Sequence, residues 1–173
     1  MRASPFVIGE GMHNLWSPWR SIYIETPRED RDDGCFLCDA ASSRENTVDN
    51  LVVARFPQTF VVLNRYPYNA GHLMVVPNVH EGDLAALDEA VATEIMQSVR
   101  KALTVMNNVL HPHGVNVGAN LGEHAGAGVP GHLHIHLVPR WSGDTNFMPT
   151  IAETKVASAA LEELWTTFSK AFA

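Results

Sequence analysis

Three histidines alternate with apolar residues in the segment from Gly131 to Trp141, at His132, His134 and His136. Successive side chains of an extended strand point to opposite faces, so we expect the three imidazoles on one face and the apolar residues on the other. Imidazole can serve as a neutral nucleophile, a proton donor or a metal ligand near pH 7. The spacing therefore predicts a catalytic or metal-binding strand, and a solvent-facing strand that merely carries histidines is the alternative.

The two cysteines of the chain, Cys35 and Cys38, are separated by two residues. Such a pair supplies half of a tetrahedral zinc site, so two further ligands must come from elsewhere in the chain. His80, which follows an apolar run, and His132 are the candidates. Reduced structural thiols and a redox pair are the alternatives.

Small residues form a run shortly before the histidine segment, at Ala125, Gly126, Ala127 and Gly128. A backbone without bulky side chains can approach a ligand closely and direct its N–H groups at phosphate oxygens. Beside the histidine strand, this run predicts phosphate binding, and an ordinary flexible turn is the alternative.

Short apolar runs predict the strands that surround these residues. Residues 51–55, 60–64 and 72–76 are rich in Val, Leu and Phe and are separated by turn residues, which predicts an antiparallel meander. Residues 114–120 predict a further short strand just before the small-residue run.

Apolar residues recur every three or four positions from Asp83 to His111, which predicts one long amphipathic helix with Asp83 as its N-cap. The same periodicity from Thr154 to Phe172 predicts a C-terminal helix. The long helix has more apolar surface than one small sheet covers. We therefore expect it to contribute to a homodimer, and a helix buried in a single core is the alternative.

The segment from His132 to Val138 resembles the histidine-triad pattern, His-x-His-x-His followed by two apolar residues, of the HIT superfamily of nucleotidyl hydrolases and transferases. Its flanks resemble the Fhit-like branch and the bacterial diadenosine tetraphosphate phosphorylases. The resemblance implies an α+β, HIT-like fold: an antiparallel sheet of about five strands, one long helix and a C-terminal helix, with the sheet extended across a homodimer. It divides the chain into an N-terminal arm (1–34), a HIT domain (35–150) and a C-terminal helix packed on the domain (151–173).

The resemblance also implies a reaction on diadenosine tri- or tetraphosphate. His134 would attack the α-phosphorus and form a nucleotidyl-histidine, His136 would donate to an oxygen on which charge develops, and His72 would support the pair. Ala127 and Gly128 stand where Fhit-like proteins carry Gln and Thr, and the acceptor is left open between water and inorganic phosphate. A Hint-type phosphoramidate hydrolase and a catalytically weak nucleotide-binding module are the alternatives.

Further binding residues follow from the same resemblance. Asn64 would contact the ribose, Asn120 the phosphate chain, and Arg140 and Trp141 the polyphosphate or the second nucleoside. The implied ligands of a closed structural zinc site are Cys35, Cys38, His80 and His132. The motif requires no magnesium, although a magnesium-chelated polyphosphate is an alternative form of the substrate.

The composition of the chain limits the kinds of partner that we expect it to bind. A formal net charge of -7 without clustered Lys and Arg argues against a nucleic-acid polymer. No apolar run approaches the roughly 20 residues that cross a bilayer, and the first residues lack the apolar core of a secretory signal, so we expect a cytoplasmic protein. Within the arm, the segment from Trp16 to Arg20 is expected to pack on the domain or on a partner subunit, with stacking over a base as the alternative.

Overall fold

The computed structural model describes residues 34–144 and 160–173. Most of the predicted N-terminal arm, including Trp16 to Arg20, lies outside the described residues, as does the segment just after Asp144. Within the described part, none of the helices is long and apolar enough to cross a membrane.

Five strands form one antiparallel sheet in the order β1-β2-β3-β5-β4. The strands are β1 (Val52–Arg55), β2 (Thr59–Leu63), β3 (Leu73–Pro77), β4 (Gly114–Gly118) and β5 (Ile135–Arg140). The fold predicted from the sequence, an antiparallel sheet with a long and a C-terminal helix, is confirmed. Extension of the sheet across a homodimer stays a prediction.

In residues 34–144 and 160–173, three α-helices accompany the sheet: α1 (Phe36–Ser42), α2 (Glu89–Leu110) and α3 (Leu161–Phe172). The apolar side of α2 packs on β2, β3 and β5 and buries Ile95, Val99 and Met106 almost completely. Helix α3 packs on β1 and on α2 through the buried Leu164 and Phe168. Burial of these apolar faces supplies most of the stability that short helices lack on their own.

The long helix begins later than predicted. Asp83 caps a separate 3-10 turn (Leu84–Ala86) by accepting a hydrogen bond from the Ala85 N–H at 2.9 Å. Leu87 and Asp88 then adopt extended backbone angles, so α2 contains 22 residues and starts at Glu89. The single helix predicted from Asp83 is therefore wrong, because apolar spacing continues through a break in the helical backbone.

The prediction that one strand carries all three triad histidines is also wrong in part. Strand β5 begins at Ile135, so His132 and His134 belong to the segment before it. There the Leu133 N–H donates to the carbonyl of Glu81 at 2.7 Å, and Glu81 belongs to the loop after β3 rather than to a strand. The histidines still alternate with a buried Leu133, which keeps His134 and His136 beside one cavity.

Candidate active site and metal centre

A cavity of about 600 Å³ lies between α1, the meander and the triad segment. This volume is in the range of small-molecule binding sites, which is roughly 300–1,000 Å³. Phe36, Ala40 and Val62 contribute apolar surface to the cavity wall, and His134 and His136 contribute imidazoles. One wall of the cavity is therefore apolar and suits a planar base, and another carries imidazoles that could take part in a reaction.

The side chain of His134 is held in one tautomer. Its Nδ1 lies 2.8 Å from the carbonyl oxygen of His132, and a carbonyl can only accept a hydrogen bond. Nδ1 must therefore carry the proton, which leaves a lone pair on Nε2. Since His134 lines the cavity, the arrangement provides a neutral nitrogen nucleophile there.

His136 and His72 form a pair beside His134. The Nε2 atom of His72 lies 3.0 Å from Nδ1 of His136, and the rings of His134 and His136 are 4.9 Å apart in an edge-to-face arrangement. His72 is fully buried, whereas His136 lines the cavity. The structure thus brings together the three histidines for which the resemblance implied a catalytic role.

The two asparagines of the expected nucleotide site both line the cavity. The Oδ1 atom of Asn64 accepts from the Tyr66 N–H at 2.8 Å, which orients the amide. Asn120 donates through Nδ2 to the carbonyl of Gly126 at 3.3 Å, which links it to the small-residue loop. Their contact with ribose and phosphate stays a prediction.

The small-residue loop is more structured than a run of alanine and glycine suggests. A 3-10 turn (Glu123–Ala125) precedes Gly126, whose positive φ of 85° favours glycine. The Gly126 N–H donates to the Glu123 carbonyl at 3.0 Å and the Ala127 N–H to the Gly122 carbonyl at 3.4 Å. Gly126 and Gly128 line the cavity, but the amides of Gly126 and Ala127 already have carbonyl acceptors within the loop.

Arg140 and Trp141 are not among the residues that line the cavity in the described part of the chain. Two nitrogens of the Arg140 guanidinium bond to the two carboxylate oxygens of Asp144 at 2.6 and 2.9 Å, and a third bonds to Asn116 Oδ1 at 3.0 Å. The guanidinium holds the pKa of Asp144 well below its ordinary value, and the hydrogen bonds to the Asp144 carboxylate raise the pKa of Arg140. Arg140 thus has a structural ion pair in this conformation, and its contact with polyphosphate stays a prediction.

Cys35, Cys38, His80 and His132 form one cluster, with all their ligand atoms within 4.8 Å of one another. Nδ1 of His132 lies 3.3 Å from the Cys35 sulfur and 3.5 Å from the Cys38 sulfur, and Nδ1 of His80 lies 3.1 Å from the Cys38 sulfur. Sulfur and nitrogen ligands on one tetrahedral zinc ion would lie about 3.5 Å apart. The cluster therefore has the donor set and nearly the spacing of a closed zinc site.

The protonation state of His132 suits the role of a metal ligand. Its Nε2 lies 2.9 Å from the Pro77 carbonyl and must donate to it, so the lone pair is on Nδ1, which faces the sulfurs. Burial lowers the pKa of His132, which favours the neutral form that binds metal. Burial and the neighbouring Cys35 raise the pKa of the Cys38 thiol, so a metal must displace its proton to bind.

Sequence reasoning missed helix α1 as a wall of the cavity. The helix contributes Phe36, Leu37, Asp39 and Ala40 to the lining, and it begins directly after Cys35. The three-residue spacing between Leu37 and Ala40, both buried, was the available signal. A helix of seven residues is too short for such a spacing to stand out.

Comparison of the sequence with known proteins identifies the family that the motif resembles. Residues 45–143 match the HIT domain family. An AP-4-A phosphorylase of Mycobacterium tuberculosis is 41% identical over 156 residues, which span 88% of this chain and 80% of that protein. A bis(5'-nucleosyl)-tetraphosphatase (asymmetrical) of Schizosaccharomyces pombe is 32% identical over 97 residues, or 56% of this chain and 53% of that protein.

Among solved structures, a Zn-bound histidine triad family protein from Mycobacterium smegmatis has the same fold. It superposes with a TM-score of 0.64 at 22% sequence identity, and the match covers 80% of this chain and 93% of that one. At this identity the likeness concerns the fold alone.

Proposed function

The chain belongs to the HIT family, and on that premise we propose that it cleaves dinucleoside polyphosphates such as diadenosine tetraphosphate through a covalent nucleotidyl-histidine at His134. The proposal is carried by one observation: the His132 carbonyl forces the proton of His134 onto Nδ1 and leaves a lone pair on Nε2 beside the cavity. The names of the phosphorylase and tetraphosphatase relatives support the substrate class.

A phosphoanhydride resists attack by anions because its own oxygens are negatively charged. The neutral Nε2 of His134 avoids that repulsion, and a covalent intermediate divides one difficult displacement into two easier ones. In the first step a bond forms between Nε2 and the α-phosphorus while the bond from phosphorus to the bridging oxygen breaks. For diadenosine tetraphosphate, ATP leaves as an anion and adenylyl-His134 remains.

In the second step we propose inorganic phosphate as the acceptor. An oxygen of phosphate attacks the α-phosphorus, the nitrogen–phosphorus bond breaks, and its electron pair returns to Nε2 of His134, which gives ADP. Nδ1 keeps its proton on the His132 carbonyl throughout. The choice of phosphate over water rests on the relative named AP-4-A phosphorylase, which is 41% identical.

The remaining cavity residues would bind and orient the substrate. His136 would donate a hydrogen bond to an oxygen on phosphorus as negative charge increases, which stabilises the transition state more than the ground state. Asn64 would contact the ribose and Asn120 the phosphate chain. The apolar wall from α1 and the meander would hold the base.

A zinc ion at Cys35, Cys38, His80 and His132 would be closed and structural, since four protein ligands complete a tetrahedron. Bound there, it would fix the position of His132, and every step of the reaction runs through the chain's own groups. The mechanism requires no magnesium, although a magnesium-chelated polyphosphate stays an alternative form of the substrate.

The test is incubation with diadenosine tri- and tetraphosphate, with and without inorganic phosphate, followed by chromatography of the products. We expect ATP and ADP from the tetraphosphate only when phosphate is present, and a loss of about 10⁴-fold or more in His134→Ala. His113→Gln, which changes a histidine outside the cavity lining, is the matched control. AMP formed without phosphate would mean that water is the acceptor, and faster turnover of adenosine phosphoramidate would mean a phosphoramidate hydrolase.

A further inference from the structure

Tyr68 contacts both histidines of the pair beside the nucleophile. Its ring stacks on His72 with centroids 5.0 Å apart and planes inclined by 18°, and it lies 6.1 Å from the ring of His136. Tyr68 also lines the cavity, with 36% of its surface exposed. We propose that Tyr68 is a positioning residue whose main-chain amide and stacked ring together hold the hydrogen bond between His72 and His136 in one direction, an inference that rests on the proposed function.

The main chain of Tyr68 determines which nitrogen of His72 carries the proton. The Tyr68 N–H donates to Nδ1 of His72 at 3.2 Å, and a backbone amide can only donate. The proton of neutral His72 is therefore on Nε2. The opposite tautomer would set two N–H groups against each other around a fully buried ring, which disfavours it on the order of tenfold or more.

The tautomer of His72 determines the tautomer of His136. Nε2–H of His72 donates to Nδ1 of His136 at 3.0 Å, so the proton of neutral His136 is on its own Nε2. His136 lines the cavity beside His134. The chain from the Tyr68 amide through His72 thus makes His136 an N–H donor to an oxygen on phosphorus, and no proton has to move during the reaction.

The loop that carries Tyr68 is held firmly enough to perform this role. The carbonyl of Asn69 accepts from the His72 N–H at 3.1 Å, and Nδ2 of Asn69 donates to the Pro139 carbonyl at 2.9 Å and to Asp144 Oδ2 at 2.8 Å. Asn69 is almost completely buried. The amide of Tyr68 is therefore anchored to the end of β5, the strand that carries His136.

The ring of Tyr68 has a separate effect from its amide. Any residue except proline supplies the N–H, but the aromatic ring covers one face of His72 on the cavity side. A ring stacked at this distance limits rotation of the imidazole and excludes water that would compete for its nitrogens. Loss of the ring with retention of the amide should therefore loosen the tautomer without removing the donor.

The tautomers can be measured directly in the protein as purified. Long-range ¹H–¹⁵N spectra of ¹⁵N-histidine-labelled protein distinguish Nδ1–H from Nε2–H, and single substitutions assign the 9 histidines. We expect Nε2–H for His72 and His136 in the parent and in Tyr68→Phe, and a mixture in Tyr68→Ala. Tyr68→Leu, which keeps apolar bulk, replaces Tyr68→Ala if the smaller residue prevents folding. Parental tautomers in the variants that lack the ring would overturn the proposal.

Kinetics supply a second readout with diadenosine tetraphosphate and phosphate as the probes. We expect kcat to fall about tenfold in Tyr68→Ala while KM changes less than about threefold, and Tyr68→Phe to retain parental kcat. Tyr66→Ala is the matched comparison: Tyr66 lines the same cavity but donates its N–H to Asn64, so this change should leave the histidine tautomers intact. An inactive parent would overturn the proposed function, whereas the spectra would still decide the role of Tyr68.

Discussion

His132 belongs to the cluster of candidate zinc ligands and also contacts His134 through its main chain. Its ring faces Cys35 and Cys38, and its carbonyl oxygen accepts the proton of His134. Its remaining ring nitrogen donates to Pro77, at the end of β3. A change at the cluster that moves His132 would therefore move the group that holds the tautomer of His134.

The charge of Asp144 should contribute to stability. It accepts hydrogen bonds from Arg140, Asn69 and the Trp141 N–H, and its side chain is 12% exposed. These donors hold its folded-state pKa well below the unfolded value of about 3.9. The stabilisation is therefore fully present above that value and is lost as the pH falls through the folded-state pKa.

We expect Asp144→Asn to lower the free energy of unfolding at pH 7 by about 1–2 kcal/mol. The measurement is urea denaturation of the variant and the parent from pH 7 down to pH 3, and the difference between them should shrink below about pH 4. Asp88→Asn is the matched control, because Asp88 is exposed and makes no side-chain capping bond. A difference that persists unchanged at pH 3 would contradict the assignment to charge.

At the residue scale the sequence predicted which histidines and cysteines lie together, because these residues at short fixed spacings are rare and chemically specific. The cluster of Cys35, Cys38, His80 and His132 is brought together as the resemblance implied. The anchoring of Asn69 to Pro139 and Asp144 depends on distances between segments that are far apart in the sequence. No local pattern encodes such distances.

At the scale of elements, helix α1 joins the cluster of candidate zinc ligands to the cavity that His134 and His136 line. Cys35 precedes the helix and Cys38 lies in its first turn, while other residues of the helix line the cavity. Its far end is held by Arg55, which donates to the carbonyls of Ala40 and Ala41 at 2.8 and 3.3 Å. Metal binding should therefore order the end of α1 that Arg55 does not hold.

Cys35→Ser should release the metal and loosen α1. We expect the parent to bind one zinc ion per chain and the variant to bind none, and Tm to fall by roughly 10 °C, the shift that about 3–4 kcal/mol produces in a chain of this size. Hydrogen exchange should rise in α1 more than in α2.

Elemental analysis, thermal unfolding and hydrogen exchange check this prediction. His124→Gln, which removes an exposed histidine outside the cluster, should leave metal content unchanged. Parent protein that folds fully after purification without zinc, with no metal bound, would contradict the structural role.

The elements themselves were predictable in type but less so in extent. Apolar runs mark the strands of the meander, helical periodicity marks the two longer helices, and the structure contains all of them. The break at Leu87 and Asp88 was hidden because apolar spacing continues across it, although the backbone is extended there. The start of β5 depends on whether the backbone just before Ile135 pairs with a strand or with a loop, and that pairing is set by the tertiary structure.

At the scale of the whole molecule, β4 is an edge strand of the sheet. Four of its five residues are exposed, among them Val117 with 47% of its surface accessible. An exposed edge strand is a site at which another chain can pair. We therefore propose that the predicted homodimer forms at this edge, where the sheet would continue into the second copy.

Val117→Glu should weaken that dimer, because a buried carboxylate without a partner is costly at an interface. We expect the parent to sediment at roughly 38 kDa, twice the chain mass of 19.0 kDa, and the variant to shift toward the monomer. Val79→Glu is the matched control, since Val79 has a similar exposure of 48% but lies after β3. A monomeric parent would contradict the dimer.

The fold of the described residues was also expected from the resemblance, since the motif at His132 to Val138 implied both the sheet and its helices. Extension of the sheet between subunits could not be read in the same way. Pairing of an exposed edge depends on the surface of a second chain, and the sequence of one strand does not specify it.

The proposed mechanism depends most directly on a covalent bond between the nucleotide and His134. Diadenosine tetraphosphate labelled with ³²P at the α-phosphorus should be mixed with the enzyme without inorganic phosphate, quenched at alkaline pH to preserve the nitrogen–phosphorus bond, and digested. We expect ³²P on the peptide that contains His134. When phosphate is added before the quench, we expect this label to be released as ADP. Label on a different residue, or cleavage of the substrate with no label on the protein at any time, would contradict the proposed mechanism.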